Sequence, residues 1–213
     1  MLNVDELAKE INKAIDAKDK DGNPDPVTPE QKTYAEAIIN TLKAGIVNNL
    51  PGTINGVTAA GAPLSAGMGM GGLMTLVPAT WLSTMMGGFP TANPGALSLE
   101  ATGSTTYLMS SGLVNFAAGN ITGTCTSTPV APGPLAAGAG MDGKIAGLAG
   151  APWAAVVMPP TGDPSLSQKI YGAISKYIME KAAAAYATGT VAGVCPPAAG
   201  PLTLGAGLGG TLS

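Results

Sequence analysis

Three glycine motifs in this chain have the spacing of a dinucleotide-binding loop. In such a loop, G-x-G-x-x-G joins a strand to a helix whose N-terminus holds the pyrophosphate. The last copy is followed only by residues 211–213, too few to form a helix. We therefore interpret the motifs as glycine-rich strands and expect no cofactor. The copies are Gly67-x-Gly69-x-x-Gly72, Gly138-x-Gly140-x-x-Gly143 and Gly205-x-Gly207-x-x-Gly210.

A second pattern has the spacing of a calcium-binding loop between two helices. Such loops need glycine in the sixth position for a sharp turn. Here Pro24 occupies that position and Gly22 lies too early, and proline fixes φ at a negative value. We expect a solvated turn, with calcium binding as the alternative that a Ca²⁺ titration would test. The candidate ligands are Asp19, Asp21, Asn23, Asp25 and Glu30.

Cysteine and serine chemistry has little support in the sequence. Cys125 and Cys195 follow the same glycine pattern, but two thiols without any histidine fall short of a zinc site. A disulfide needs Cα atoms within about 7 Å, a distance that the sequence leaves open. We favour two small buried residues. Because no histidine is present to activate a serine, we expect the protein not to be an enzyme.

Tryptophan and methionine are candidates for contacts with another protein, because both are enriched at interfaces. Trp81, Met85 and Trp153 are the clearest positions, and core packing is an equal alternative for them. Glycine-rich extended segments also favour pairing with a second chain. The predicted interface set is therefore Trp81, Met85, Trp153, Gly67, Gly69, Gly138, Gly140, Gly205 and Gly207.

The charged residues are few and unevenly distributed. They make up 11% of the chain, whereas about 25% is usual. Fifteen of them lie in residues 1–43, which leaves eight for residues 44–213. Soluble monomers normally cover themselves with charge. The long remainder therefore predicts a surface that other subunits cover, or a polar surface of glycine, serine and threonine.

The same composition argues against several partners. A net charge of −3 and the absence of arginine predict no nucleic-acid binding. Prolines and glycines interrupt the apolar stretches, so we expect no membrane span. The polar, acidic N-terminus has no secretory signal, and two cysteines then suggest reduced thiols and synthesis in a cytoplasm.

Six helices are expected to position these motifs. Asn3 with Glu6, and Thr28 with Gln31, are typical starts of a helix, because the first side chain can cap the backbone N–H of the third helical residue. Apolar residues then recur at helical spacing. The predicted helices span residues 3–18, 29–46, 79–86, 97–118, 151–158 and 165–187.

A glycine-patterned tail occurs three times, as G-x-[IV]-x-G-x-[TC] followed by P-L-x-x-G-x-G-x-x-G-x-[LI]. Each tail follows a short helix, a Pro/Gly loop and a long helix. We therefore predict an α+β fold of three tandem pseudo-repeats, at residues 1–76, 77–148 and 149–213, each ending in an extended glycine-rich arm or hairpin. Single hairpins are marginal, so the arms should pair with each other or with neighbouring chains.

The helix with sequence DELAKEINKAI, the Pro/Asp loop, the AEAIINTLKAG helix and the Gly/Thr/Ser-patterned strand resemble small structural proteins of tailed bacteriophages. The resemblance implies a virion component of the tail, baseplate or neck, without enzymatic activity, made in the host cytoplasm. Its partners would be other virion proteins and copies of itself. No functional residue carries over from this resemblance. The alternatives are a secreted or cell-surface adhesive module, which a signal peptide or many disulfides would favour, and a calcium-binding module.

Overall fold

Six helices are present in the part of the chain that the structure describes, and they contact one another in order and back to the first, as a closed ring. They are α1 (Val4–Ile15), α2 (Pro29–Ala44), α3 (Pro78–Gly88), α4 (Pro94–Ser111), α5 (Gly150–Val156) and α6 (Pro164–Lys181). The computed structural model describes residues 1–16, 18, 21–49, 54–58, 63–64, 66–69, 71–116, 122–125, 133–139, 143–156, 163–185, 191–195, 200–201, 204–207 and 210–213.

Side-chain caps and prolines define where the helices begin. The predicted N-cap of α2 at Thr28 is confirmed, and it forms a capping box, since Thr28 and Gln31 each bond the other's backbone N–H. Asn3 caps α1 by accepting from the N–H of Glu6. Proline occupies the first turn of α2, α3, α4 and α6, where its missing N–H costs nothing. These starts agree with the sequence to within a few residues.

Fourteen strands occur among the described residues, all paired antiparallel. Six of them close a barrel in the order β1-β14-β10-β9-β6-β5. The strands are β1 (Ile46–Asn49), β2 (Ile54–Thr58), β3 (Pro63–Leu64), β4 (Ala66–Gly69), β5 (Gly72–Thr75), β6 (Leu113–Phe116), β7 (Thr122–Cys125), β8 (Gly133–Ala139), β9 (Gly143–Ala146), β10 (Ala183–Ala185), β11 (Val191–Cys195), β12 (Gly200–Pro201), β13 (Leu204–Gly207) and β14 (Gly210–Leu212).

Alternate residues of the barrel strands point inward, as the period of two requires. Phe116 is the largest of them, and two glycines make room for its ring. A Cβ on Gly72 would lie 3.0 Å from Phe116 Cε2, and one on Gly143 would lie 3.0 Å from Phe116 Cδ1. The buried apolar residues of these strands are Val47, Met74, Val114, Phe116, Ile145, Ala184 and Leu212.

The predicted fold class, α+β with three tandem pseudo-repeats that each end in a glycine-rich arm, is wrong in its architecture. The structure instead has one closed barrel in which β1 pairs with β14, β5 with β6 and β9 with β10. Strands from distant parts of the chain complete each other, so the chain is not a row of separate units. The predicted unit boundaries stay a prediction.

The barrel was missed because two of its strands, β6 and β10, were assigned to the ends of helices. Helix α4 ends at Ser111 and α6 at Lys181, whereas the predicted helices continue to residues 118 and 187. The segment Leu113–Phe116 alternates exposed and buried residues. It bonds to β5 on one side and β9 on the other. These tertiary hydrogen bonds outweigh the local preference for helix.

The remaining strands form a five-stranded sheet (β13-β11-β8-β7-β3) and a three-stranded sheet (β12-β2-β4). Here the glycine-patterned tails pair with one another inside the chain. The three Pro-Leu positions show this most clearly, because the proline of each tail lies opposite a residue of another tail. The pairs are Pro63 with Thr124, Pro134 with Val194, and Pro201 with Val57.

Cys125 and Cys195 lie on opposite sides of β8. Cys125 pairs with Leu135 and Cys195 pairs with Gly133. Two strand spacings amount to about 10 Å. This exceeds the Cα separation of about 7 Å that a disulfide tolerates.

Candidate functional site

A cluster of aromatic side chains fills the centre of the helix ring. Trp153 on α5 stacks between Tyr107 of α4 and Tyr171 of α6, with ring centroids 5.4 and 5.0 Å away. Trp81 on α3 meets it edge-on at 6.5 Å. The indole N–H of Trp153 donates to Ser104 Oγ at 3.1 Å. Stacked and edge-on aromatic pairs stabilise a core beyond their buried area.

One carboxylate lies beside this aromatic cluster. Glu100 of α4 is 8% exposed, and its Oε1 accepts hydrogen bonds from the hydroxyls of Tyr34 on α2 (2.5 Å) and Tyr171 on α6 (2.8 Å). Each tyrosine hydroxyl has one proton. Both protons are therefore directed at the same oxygen, and the carboxylate joins three helices of the ring.

Burial and hydrogen bonding act on Glu100 in opposite directions. Burial raises the pKa of Glu100 because the charged form loses its hydration, and the hydrogen bonds from Tyr34 and Tyr171 partly oppose this by stabilising the carboxylate. Burial, and then the neighbouring Glu100 charge, raise the pKa of both tyrosines. The two hydroxyls consequently remain protonated donors at any physiological pH.

A pocket of about 320 Å³ reaches this cluster from the end of the ring that lies away from the barrel. Helices α2, α4 and α6 lead into barrel strands through their C-terminal ends, whereas Tyr34, Glu100 and Tyr171 belong to their first halves. The walls are mainly aliphatic and aromatic. The lining residues are Ile11, Ile15, Glu30, Gln31, Tyr34, Phe89, Glu100, Ile170 and Tyr171.

The polar groups of this pocket are few. The pocket has one buried carboxylate and two hydroxyls that already donate to it, and its other acid, Glu30, is exposed at the start of α2. Together the described lining residues form an apolar pocket with a carboxylate at its floor.

The predicted interface set lies in two different environments. Trp81, Met85 and Trp153 are fully buried within the chain, which is the core packing weighed as the alternative to an interface. The glycines lie in strands: Gly67 and Gly69 in β4, Gly138 in β8, and Gly205 and Gly207 in β13, whereas Gly140 is outside the described residues.

Three of these glycines lie opposite another glycine of the same tail. This recurrence explains the sequence pattern, because paired glycines leave no side chain between neighbouring strands and let another backbone approach closely. The motifs are thus used within the chain, in strands that no helix directly follows. The pairs are Gly67 with Gly56, Gly138 with Gly123, and Gly205 with Gly193.

The candidate calcium ligands lie between α1 and α2. Asp25 uses its backbone carbonyl to accept from Asn12 Nδ2 at 2.7 Å, which holds the loop against α1. Gly22 has a left-handed φ of +80°. Glu30 already belongs to α2, and Asp19 is outside the described residues. Asp21, Asn23 and the other described residues form no group of ligands placed to hold a metal ion.

The surface is charged on one side and uncharged on another. Exposed ion pairs lie on α1, α2 and α6, such as Lys32 with Asp5 at 2.9 Å and Lys13 with Glu10 at 3.5 Å. On the outer face of the barrel, by contrast, three apolar side chains are exposed. They are Ile46 (47%), Leu73 (46%) and Leu113 (41%), and Leu73 lies directly opposite Leu113. We call these three residues the barrel face.

The sequence reasoning missed Glu100, Tyr34 and Tyr171 as a group. One signal was available, because Glu100 is the only charged residue between Lys43 and Asp142. A single charge in such a long uncharged stretch indicates a special environment. Its two tyrosine partners lie 66 and 71 residues away along the chain, so no local pattern could identify them.

The chain matches no protein-family model, no curated protein and no solved structure. None of the described helices is both long and apolar enough to span a membrane. The resemblance to bacteriophage structural proteins therefore stays a prediction, and the function has to be argued from the geometry.

Proposed function

We propose that this chain is a structural component of a tailed-bacteriophage particle, in the tail, baseplate or neck. In this proposal it contacts copies of itself and other virion proteins through the barrel face. One observation carries the proposal. The only charge between Lys43 and Asp142 belongs to Glu100, which is buried, so this half of the chain contributes no charge to the described surface.

The barrel face has the character of a surface that another protein covers. Ile46, Leu73 and Leu113 lie on the adjacent strands β1, β5 and β6, and each is more than 40% exposed. Single exposed apolar residues are ordinary, but a group of them without intervening charge favours association. The charge on the barrel strands is Lys144 of β9, which lies opposite Asn115, two residues along β6 from Leu113.

The charged helices complete the proposal. Four of the five ion pairs of the described residues lie on or between α1, α2 and α6. Surface pairs of this kind add little stability, about 0–1 kcal/mol each, but they keep a surface soluble. A body whose described ion pairs are concentrated on these helices, away from the barrel face, suits a fixed place in an assembly.

Association can be tested with the purified chain. Light scattering after size exclusion should give a mass above 20.8 kDa that rises with protein concentration. Leu73→Lys should shift the protein toward the monomer because it places a charge in the barrel face. Leu99→Lys, at an apolar position on α4 that is 76% exposed, is the matched control and should leave the mass unchanged. A monomer at every concentration would remove the support for this face.

Membership of a particle needs a separate measurement. Particles purified from cells that produce this chain should contain it in a constant ratio to the other virion proteins, as measured by quantitative mass spectrometry. Recovery of the chain only from the soluble lysate, with none in the particles, would contradict the virion proposal.

A further inference from the structure

We propose that the pocket at the end of the helix ring is a binding site for a primary alkylammonium group, whose charge would pair with Glu100. The ammonium could belong to a free amine or to a lysine side chain of a partner protein, since both present the same chemistry. This inference goes beyond the proposed virion function and does not depend on it.

The carboxylate of Glu100 has one oxygen to spare. Both tyrosine hydrogen bonds end on Oε1. Among the described residues, no hydrogen bond and no ion pair involves Oε2. A carboxylate that is more than nine-tenths buried is costly unless a cation or further donors pair with it. Glu100 Oε2 is not one of the buried, unpaired side-chain atoms of the described residues, so solvent reaches it from the pocket, and the ammonium of a ligand would replace that solvent.

The walls of the pocket suit the carbon chain of such a ligand. Ile11, Ile15 and Ile170 present aliphatic side chains, and Phe89 presents an aromatic one. A volume of about 320 Å³ lies at the lower end of the range for ligand pockets. A chain of several carbons with an ammonium end matches this size and polarity.

Other charged ligands fit less well. An anion would be repelled by Glu100. A calcium or magnesium ion needs several oxygen ligands around it, and these walls are apolar. A guanidinium prefers both oxygens of a carboxylate, but Oε1 already accepts two hydrogen bonds. An ammonium can donate to Oε2 and to the lone pairs of Tyr34 and Tyr171, and an aromatic face also attracts it.

The ligand series tests the proposal on the unmodified protein. Hexylammonium, hexanol and hexanoate have the same carbon chain and differ in the charge of the end group. Titration calorimetry should detect binding of hexylammonium that is at least about tenfold tighter than that of the other two, because a hydrogen bond to a charged group is worth about 1.5–3 kcal/mol. Tryptophan fluorescence is a second readout, because Trp153 stacks on Tyr171. Equal binding of hexanol, or no binding of hexylammonium, would overturn the proposal.

A pair of substitutions locates the binding site. Glu100→Gln keeps the shape of the side chain and removes its charge, and it should weaken hexylammonium binding by about ten- to hundredfold. Glu36→Gln makes the same change at an exposed position of α2 and should leave binding unchanged. Equal affinities for the two variants would place the ammonium elsewhere and overturn the proposal. Should Glu100→Gln fail to fold, the ligand series still decides.

A last comparison separates the two sources of the ammonium. N-acetyl-lysine methylamide presents a lysine side chain without other charges. If it binds as tightly as hexylammonium, the pocket accepts a lysine of a partner protein. If only hexylammonium binds, the ligand is a free amine. Neither result requires the chain to associate or to be found in particles, so failure of the virion proposal would be recognised separately.

Discussion

Two glycines at the contact between α5 and α6 predict opposite effects of the same substitution. A Cβ added at Gly150 would lie 2.4 Å from both the Cα and the backbone N of Gly172, and 3.1 Å from the carbonyl oxygen of Gln168. A Cβ added at Gly172 would have no atom within 4 Å. Gly150→Ala should therefore destabilise the protein, and Gly172→Ala should stabilise it.

The size of the destabilisation by Gly150→Ala depends on how far helix α5 has to shift. Carbon atoms in contact prefer about 3.5–4.0 Å, so α5 would have to shift by about 1 Å, and the backbone of α6 cannot rotate away as a side chain could. Overpacking costs about 1–3 kcal/mol. Helix α5 also carries Trp153, which is stacked against Tyr107 and Tyr171 and would move with it. We therefore expect a loss of about 2–3 kcal/mol for Gly150→Ala.

Gly172→Ala replaces glycine inside a helix without meeting a neighbour. Alanine loses less backbone entropy on folding, which should increase the free energy of unfolding by about 0.5–1 kcal/mol. For a chain of this size 1 kcal/mol corresponds to about 2–4 °C in Tm. Thermal unfolding should thus show a decrease of about 4–12 °C for Gly150→Ala and an increase of about 1–4 °C for Gly172→Ala. Two changes of the same sign would refute the contact between these backbones.

Three further predictions test other parts of the structure. Gly88→Ala should destabilise the protein by about 1–3 kcal/mol, because the added Cβ would lie 1.8 Å from Thr33 Cγ2. Gly87→Ala is the control, since its Cβ would have no atom within 4 Å, and it should not destabilise the protein. Thermal melts of the two variants compare them directly. Thr28→Ala removes the capping box of α2 and should cost about 1 kcal/mol in urea unfolding, and an unchanged midpoint would show that the box is unimportant. Burial raises the pKa of Glu100 above its ordinary 4.5, so the folded state holds this proton more tightly than the unfolded state does. The contribution of Glu100 to stability must then fall as pH rises from 4.5 through the folded pKa. The free energy of unfolding of the wild type, relative to that of Glu100→Gln, should fall over the same pH window. A relative stability that rises with pH would contradict a raised pKa for Glu100.

The local features of the fold were accessible from the sequence. Each of the six predicted helices overlaps an observed one, because caps, prolines and apolar spacing are signals within a few residues. The capping box at Thr28 and Gln31 is the clearest case. The glycine-patterned segments were predicted as strands, and the structure has strands in the parts of these segments that it describes. Their regular pairing of glycine with glycine gives the pattern a physical reason.

The barrel and the pocket depend on contacts that no local pattern encodes. Each barrel strand is only three or four residues long, and the strand Ala183–Ala185 has a sequence that favours helix. Only the partners Gly143 and Leu212 on either side make it a strand. Glu100 likewise bonds to tyrosines on two other helices, Tyr34 and Tyr171, which lie 66 and 71 residues away in the sequence. Such sites could not be predicted from the sequence, because their residues are distant along the chain and form no motif.

The barrel seam between β1 and β14 also has a consequence for how the chain folds. Ile46 pairs with Thr211, so this seam joins residues that lie 165 positions apart in the sequence. Contacts of such long separation form late, since the entropy of closing the loop precedes any gain from the contact. Until β14 arrives, β1 and β10 both have an unpaired edge, and such edges invite pairing with another chain. The slowest step of folding should therefore be closure of the barrel. The yield of refolded protein should fall as the concentration of refolding chains rises.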